Sequence, residues 1–403
     1  MNLNNGNCNY RIDDIEEVKN KIYTSQEIKE KILKTNQLVL KAKKPVCIGE
    51  DFLLKVNLNI GISKEIDYNN EIEKINKIIN LDYRPDSIMD CSIIKNSTPI
   101  WKYLIENFDG AVGALPHYMV FDKKHGININ ELLNLIIDMG KNGISFITLH
   151  PTANLDLFHI AKNDRTIPIT SRGGYVLLKD QLINKRANNI IAENFEELMK
   201  IFKKYNIVLS VGSAFRPATI HESLDECQLR EIELQKYYIN IAKKLGVKVM
   251  MEGVGHISLD RIEKYADLIR DHNAPLMPLG PMVSDEIIGF DHVNNALGAL
   301  SLANTGVVGM INCVTREEHT GKIPDINSLI EGLKTSRVVA HCYNITKFSQ
   351  YKEKTEIIGL KRAKNRTCVQ TGGIFNYLNI DEMEINNCSR CSYECPLKGL
   401  KGE

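Results

Sequence analysis

Three cysteines, Cys388, Cys391 and Cys395, fall within the eight residues CSRCSYEC close to the end of the sequence. Clustered thiolates in a reducing compartment point to metal rather than to disulfides. A structural zinc site closes with four protein ligands, and neither cysteine nor histidine follows this triad. Three thiolates on a 4Fe-4S cluster leave one iron without a protein ligand, free to take a cofactor or substrate, which suits radical chemistry started from S-adenosylmethionine (SAM). The competing reading is a zinc knuckle completed by a distant residue such as Cys368. The other cysteines are scattered singly, and those inside apolar runs, Cys91 in SIMDCS and Cys313 in GMINCV, read as small buried hydrophobes.

A second set of polar residues follows apolar runs along the chain: Asn57 and Asn59, Met89 with Asp90, His117 with Tyr118, His150, Ser171 with Arg172 and Gly173, Ser213 with Arg216, Glu252 with His256, and His319. His256 in MMEGVGH and His319 in VTREEHTG follow different runs. Two imidazoles on neighbouring strand ends can share a divalent ion, Zn or Fe, and leave positions open for water or substrate; the alternative is a pair of surface loop histidines. SRGG and SAFRP each place an arginine among small residues. Small side chains let backbone N–H groups approach an anion, and the guanidinium fork matches phosphate oxygens, so these motifs suggest a phosphorylated substrate. Arginines paired with carboxylates are the plainer reading.

The elements that must position these groups are legible as repeats. From about residue 50, apolar β-branched runs alternate with stretches of helical period, the signature of βα units and a parallel sheet. Candidate strands are LLKVNLNIG, SIMDCS, GAVGALP, ISFITLHP, TIPITS, IVLSVGS, VKVMMEG, APLMPLGP and VVGMINCV, one more than an eight-stranded barrel needs. Helical stretches include NINELLNLIIDMGKNG, LDECQLREIELQKYYINIAKKLG and SLDRIEKYADLIRDHN; in the last, Leu259, Ile262, Ala266 and Ile269 form the apolar stripe and Ser258 is the expected cap. The fold class is α/β, a (β/α)8 TIM-type barrel. Four regions are expected: an N-terminal arm over 1–48, the barrel with its substrate and metal site over 49–321, a C-terminal helical hairpin over 322–385 and a cluster-binding cysteine tail over 386–403.

Composition narrows the function. Lys+Arg 51 against Asp+Glu 50 leaves a net charge of +1, so no overall field recruits nucleic acid or an anionic membrane, and any anion must be bound locally. No GxGxxG or GxxxxGK[ST] follows a strand, which argues against nucleotide binding by those loops. The apolar region 296–314 is broken by polar residues and reads as helix then strand rather than membrane span. The start shows no signal-peptide pattern, and the expected location is cytoplasmic.

Taken in order, KVNLNIG, IMDCS, GALPHY, FITLH, SRGG, FRP, VMMEGVGH, LGP, GFDH, VTREEHTG and the cysteine triad resemble the ThiC family, the phosphomethylpyrimidine synthases, from about residue 50 to the end. The resemblance implies a radical SAM carbon–carbon lyase. Its substrate would be 5-aminoimidazole ribonucleotide and its product the pyrimidine phosphate of thiamine biosynthesis. It implies that Asn59, Met89, Tyr118, His150, Ser171, Arg172, Gly173, Arg216 and Glu252 surround the nucleotide, joined by the positions now held by Ser213 and Met277. It also implies that His256 and His319 hold a divalent metal and that Cys388, Cys391 and Cys395 carry a 4Fe-4S cluster. The expected partners are an electron donor such as flavodoxin or ferredoxin and a second copy in a homodimer, the cluster tail reaching the partner's barrel.

The chain departs from the pattern at several points. SAFRPA stands for DGLRPG, so Ser213 and Ala214 replace Asp and Gly. APLMPLGP stands for APFYTLGP, so Met277 replaces Tyr. MEGVGH stands for VEGPGH, and the cysteine spacing is C-x2-C-x3-C rather than C-x2-C-x4-C. These changes open a second expectation, a 5-hydroxybenzimidazole synthase acting on the same ribonucleotide for cobamide lower-ligand synthesis. A zinc-dependent barrel hydrolase and a catalytically silent partner subunit are the remaining alternatives.

Overall fold

The computed structural model describes residues 37–94, 99–370, 388, 390, 391 and 394–399. Residues 1–36 of the expected arm over 1–48, and the linker at Gly372 and Gly373, lie outside them. The chain divides into two compact units, the first running to Tyr343 and the second starting at Asn344.

In the first unit, strands and helices alternate: β3 (Lys55–Ile60), α1 (Tyr68–Ile79), β4 (Ser87–Asp90), α2 (Ile100–Asn107), β5 (Ala111–Ala114), α3 (Pro116–Val120), the small hairpin β6 (Phe121–Asp122) and β7 (Gly126–Ile127), α4 (Ile129–Asn142), β8 (Phe146–Leu149), α5 (Leu155–Asp164), α6 (Arg172–Asn184), α7 (Ile190–Glu193), α8 (Phe195–Tyr205), β9 (Val208–Val211), α9 (Glu226–Lys244), β10 (Val249–His256), α10 (Ile262–Arg270), β11 (Leu276–Met282), α11 (Asp291–Ala303) and β12 (Met310–Asn312). Eight strands form one parallel sheet in the order β11-β10-β9-β8-β5-β4-β3-β12. A parallel bridge from Leu276 to Val308 joins the two edges, so the sheet closes into the expected barrel. Such strands are covered on both faces, which is why they read as unbroken apolar runs.

The apolar interior has two parts. Outward-facing strand residues meet the inner faces of the helices in the large core around Ile88, Leu132, Ile136, Leu149, Phe202, Ile239 and Leu302. Inside the barrel a second cluster packs Met89, Ala111, Phe146, Val208, Met250, Met277 and Met310. Leu38 and Leu40 of β1 (Leu38–Leu40) and Val46 and Ile48 of β2 (Val46–Ile48) belong to this inner cluster. The end of the expected arm is therefore an antiparallel ribbon, pairing Leu38 with Ile48 and Leu40 with Val46, that plugs the barrel. Lys41 anchors it by donating from Nζ to the Tyr205 carbonyl at 2.6 Å.

Three expectations are corrected. TIPITS is not a strand: the Thr166 N–H donates to the Glu222 carboxylate at 2.7 Å, and Pro168 has no N–H to offer a ladder. That leaves eight barrel strands from nine candidates. Ser258 precedes a short 3-10 turn and makes no side-chain cap bond. Leu259 is exposed, while Ile262, Ala266 and Ile269 face the core as expected. The 296–314 region is the end of α11 followed by β12.

The C-terminal helical stretches form α12 (Ile326–Lys347) and α13 (Ser349–Asn365). No described helix is long and apolar enough to cross a membrane.

Candidate active site

The catalytic face of a parallel barrel is the carboxyl end of its strands, and most of the expected groups meet there. Its floor is a network of short polar side chains. Asn57 donates to Asn59 Oδ1 at 2.8 Å and to Asn312 Oδ1 at 2.6 Å, Ser87 donates to Asn57 Oδ1 at 2.6 Å, and Asn312 donates to the Pro278 carbonyl at 2.8 Å. Saturated networks of this kind hold their members in one arrangement. Met89 and Met277 lie just within the inner apolar cluster, fully buried.

Above this floor Glu252 is buried, and the Thr148 hydroxyl donates to its carboxylate at 3.0 Å. Burial lifts the Glu252 carboxyl to about 7, against the opposing pull of Arg216 and of the Thr148 bond. A carboxyl in that range can hold or release a proton near neutrality. Burial likewise raises the Tyr118 hydroxyl and lowers the His150 imidazole well below its usual value. His150 is wedged between Gly173 and Gly212, where a Cβ at either position would overlap its ring, and its Nδ1 has no protein partner. His117 lies against it, ring centroids 5.2 Å apart, with both nitrogens likewise unpartnered.

Two arginines complete the mouth. Ser171 caps α6 by accepting the Gly174 N–H at 3.1 Å, which places Arg172 in the first turn with its guanidinium 5.9 Å from the Tyr118 ring centroid. Arg216, from the turn after β9, donates to the Ser213 carbonyl at 3.0 Å. Arg172 lines a cavity of about 720 Å³ and Arg216 one of about 500 Å³. The two share Asn59, Glu318, Pro324 and Leu329 as walls.

The second cavity also contains His256 and His319, whose Nε2 atoms face one another at 3.2 Å. Each ring is held from behind. His256 Nδ1 bonds Asp285 Oδ1 at 2.7 Å, and His319 Nδ1 bonds Asp291 Oδ1 at 2.9 Å. Burial lowers His256 despite its carboxylate partner, which favours the neutral ring. A carboxylate on Nδ1 fixes the tautomer that turns the Nε2 lone pair outward, the usual support for a metal-bound histidine. Two lone pairs at this separation repel one another, but two nitrogens each about 2.0–2.1 Å from a tetrahedral ion sit roughly 3.3 Å apart. The spacing of the pair matches two ligands of one ion, while among the described residues no third His, Cys, Asp or Glu gathers with them into a ligand set.

The backbone near His256 is unusual. Val254 has φ +78° and Gly255 φ +88°, and the β10–β11 register shifts between Val254 and His256. A bulge re-aims the side chains that follow it, here the His256 imidazole. A β-branched residue at positive φ is strained by about 1–3 kcal/mol.

The cysteine triad lies in the second unit. Cys388 and Cys395 are half-buried, Cys391 is exposed, and all three are free thiols. Three unpaired thiols in this spacing fit a cluster that needs three thiolates.

A comparison with known families matches residues 6–401 to the Radical SAM ThiC family. The chain belongs to this family. A phosphomethylpyrimidine synthase of Fusobacterium nucleatum is 31% identical over 88% of this chain and 84% of its own length. One from Ignicoccus hospitalis is 35% identical over 78% and 73%. A 5-hydroxybenzimidazole synthase, BzaA, of Eubacterium limosum is 31% identical over 75% and 72%. The ThiC family is one of enzymes whose radical SAM chemistry implies SAM and an iron–sulfur cluster.

Sequence reading missed the groups that support the site. Asp285 and Asp291 are 29 and 28 residues from the histidines they hold. Asp291 stands inside GFDH, a motif matched to the ThiC pattern without a role; Asp285 has no such signal. Glu231 and Thr148 are buried polar residues on elements that read as ordinary helix and strand. Cys91, read as a core hydrophobe, is half-buried and lines the larger cavity.

Proposed function

We propose that this chain is a radical SAM enzyme that rearranges 5-aminoimidazole ribonucleotide to 4-amino-5-hydroxymethyl-2-methylpyrimidine phosphate. The observation that carries this reading is the meeting, at one barrel mouth, of two arginines, a carboxyl poised near neutrality and a facing histidine pair, in a member of the ThiC family.

When bound at Cys388, Cys391 and Cys395, a 4Fe-4S cluster with SAM supplies a 5′-deoxyadenosyl radical, using an electron from a flavodoxin- or ferredoxin-type donor. The chain's own residues do the rest. Arg172 and Arg216 bind the phosphate, Asn59, Ser171 and Gly173 orient the ribose and its phosphate, and Tyr118 and His150 flank the base. Glu252 holds a proton at its carboxyl that can pass to or from the rearranging imidazole. His256 and His319 would hold the divalent metal, which would supply Lewis-acid chemistry there.

A second product is favoured by particular residues. Ser213 and Met277 stand where the ThiC pattern has Asp and Tyr, and a hydroxybenzimidazole synthase is among the relatives. Anaerobic incubation with aminoimidazole ribonucleotide, SAM and a reductant, followed by mass spectrometry, separates pyrimidine phosphate from 5-hydroxybenzimidazole. Finding neither product, nor 5′-deoxyadenosine, rejects the radical reading. Cys391→Ala should remove bound iron and sulfide and abolish 5′-deoxyadenosine formation.

A further inference from the structure

The turn after β9 is built around one carboxylate. Glu231, on α9, is 1% exposed. Its Oε1 accepts the Ala214 N–H at 2.6 Å and the Thr152 hydroxyl at 2.8 Å, and its Oε2 accepts the Ser213 hydroxyl at 2.8 Å and the Phe215 N–H at 2.9 Å. Four donors thus occupy both oxygens, the arrangement that stabilises a buried carboxylate.

This changes what the turn can offer a ligand. Backbone N–H groups among small residues would ordinarily receive an anion. Here those of Ala214 and Phe215 are already given to Glu231, and so is the hydroxyl of Ser213. Ala214 is committed as well, because its backbone and methyl lie against Gly174 at the start of α6, where a Cβ on the glycine would be 3.0 Å from the Ala214 Cβ. What remains for a ligand is Arg216, steadied by its bond to the Ser213 carbonyl and facing the smaller cavity.

We propose that Glu231 is a positioning residue that sets the Ser213–Arg216 turn so that Arg216 meets the ligand's phosphate, and that Ser213 serves Glu231 rather than the ligand. This rests on the phosphosugar reading given above. A carboxylate at 213 would face the Glu231 carboxylate across a hydrogen-bonding distance, and two like charges there repel. The turn therefore contributes a cation and no anion, which fits a ligand end that carries phosphate.

The test uses the full chain, thermal unfolding and titration with ribose 5-phosphate at a temperature where every variant is folded. Ser213→Asp should lower Tm, and Glu231→Gln added to it should raise Tm above that of Ser213→Asp alone, because the amide donates to the new carboxylate. Additive losses would overturn the pairing. Glu231→Gln and Arg216→Ala should each weaken ribose 5-phosphate about tenfold or more, whereas Ser213→Ala, which takes only one of the four donors from Glu231, should weaken it less than Glu231→Gln does. Binding kept in Glu231→Gln, or lost further in Ser213→Ala than in Glu231→Gln, overturns the proposal. If the unmodified chain does not bind ribose 5-phosphate, the phosphosugar reading fails and with it Arg216's role, while the Tm comparison still decides whether Glu231 and Ser213 are coupled.

Discussion

Glu252 is the residue whose chemistry depends most on where the fold puts it. Burial raises its carboxyl from 4.5 to about 7, so the folded chain binds that proton more tightly than the unfolded chain. The resulting stability is fully present below about pH 4.5 and is lost as pH rises through about 7. Measured against Glu252→Gln by denaturant unfolding, the wild type should lose on the order of 3 kcal/mol between about pH 4.5 and 8. A difference that stays flat across that range would mean Glu252 does not hold the proton. Asp291 offers a separate check. Asp291→Asn removes the charge behind His319 and leaves the shape, so divalent metal affinity, read by competition with a chelating dye, should fall about 10–100-fold. Equal affinity would make that contact incidental. His256 and His319 were legible because each follows an apolar run in the linear order. Their carboxylates were not, because a hydrogen bond made across nearly thirty residues leaves no pattern in the linear order.

Elements with strong periodicity were legible and those set by single contacts were not. The eight barrel strands and the helices α4, α9 and α10 follow from apolar period alone. TIPITS has a strand's composition, yet it is a loop because Glu222 and a proline take away its ladder bonds, and Leu259 fits the helical stripe by spacing while standing just before α10 begins. The β10 bulge is the sharpest case. The ThiC pattern has proline where this chain has Val254, but a proline ring fixes φ near −65° and cannot adopt the +78° found here. The segment between Glu252 and His256 therefore follows a course that the family residue would forbid. Val254→Pro, a change toward the family, should cost about 3 kcal/mol or more and weaken metal binding by displacing His256, with Tm and chelator competition as the readouts. A variant as stable as wild type and equally able to bind metal would show that the positive φ has no bearing on the site.

At the scale of the whole molecule, the barrel separates what stabilises it from what reacts. Polar groups gather at the carboxyl ends of the strands, while the β1–β2 ribbon seals the interior with Leu38, Leu40, Val46 and Ile48 packed on the inner cluster. With a net charge of only +1, the molecule has no general field to draw in an anionic substrate, and on the proposed reading the two arginines at the mouth do that locally. Such a division predicts that damage to the ribbon weakens the fold without altering the ligand site. Leu40 is fully buried, and Leu40→Ala removes its side chain from a packed interior, at a cost of about 2–5 kcal/mol. Denaturant unfolding should show that loss, while ribose 5-phosphate and divalent metal affinities, measured where the variant is folded, stay at wild-type values. If ligand affinity falls together with stability, the ribbon and the mouth are coupled through the inner methionines, and Met89 and Met277 carry the strain from one to the other.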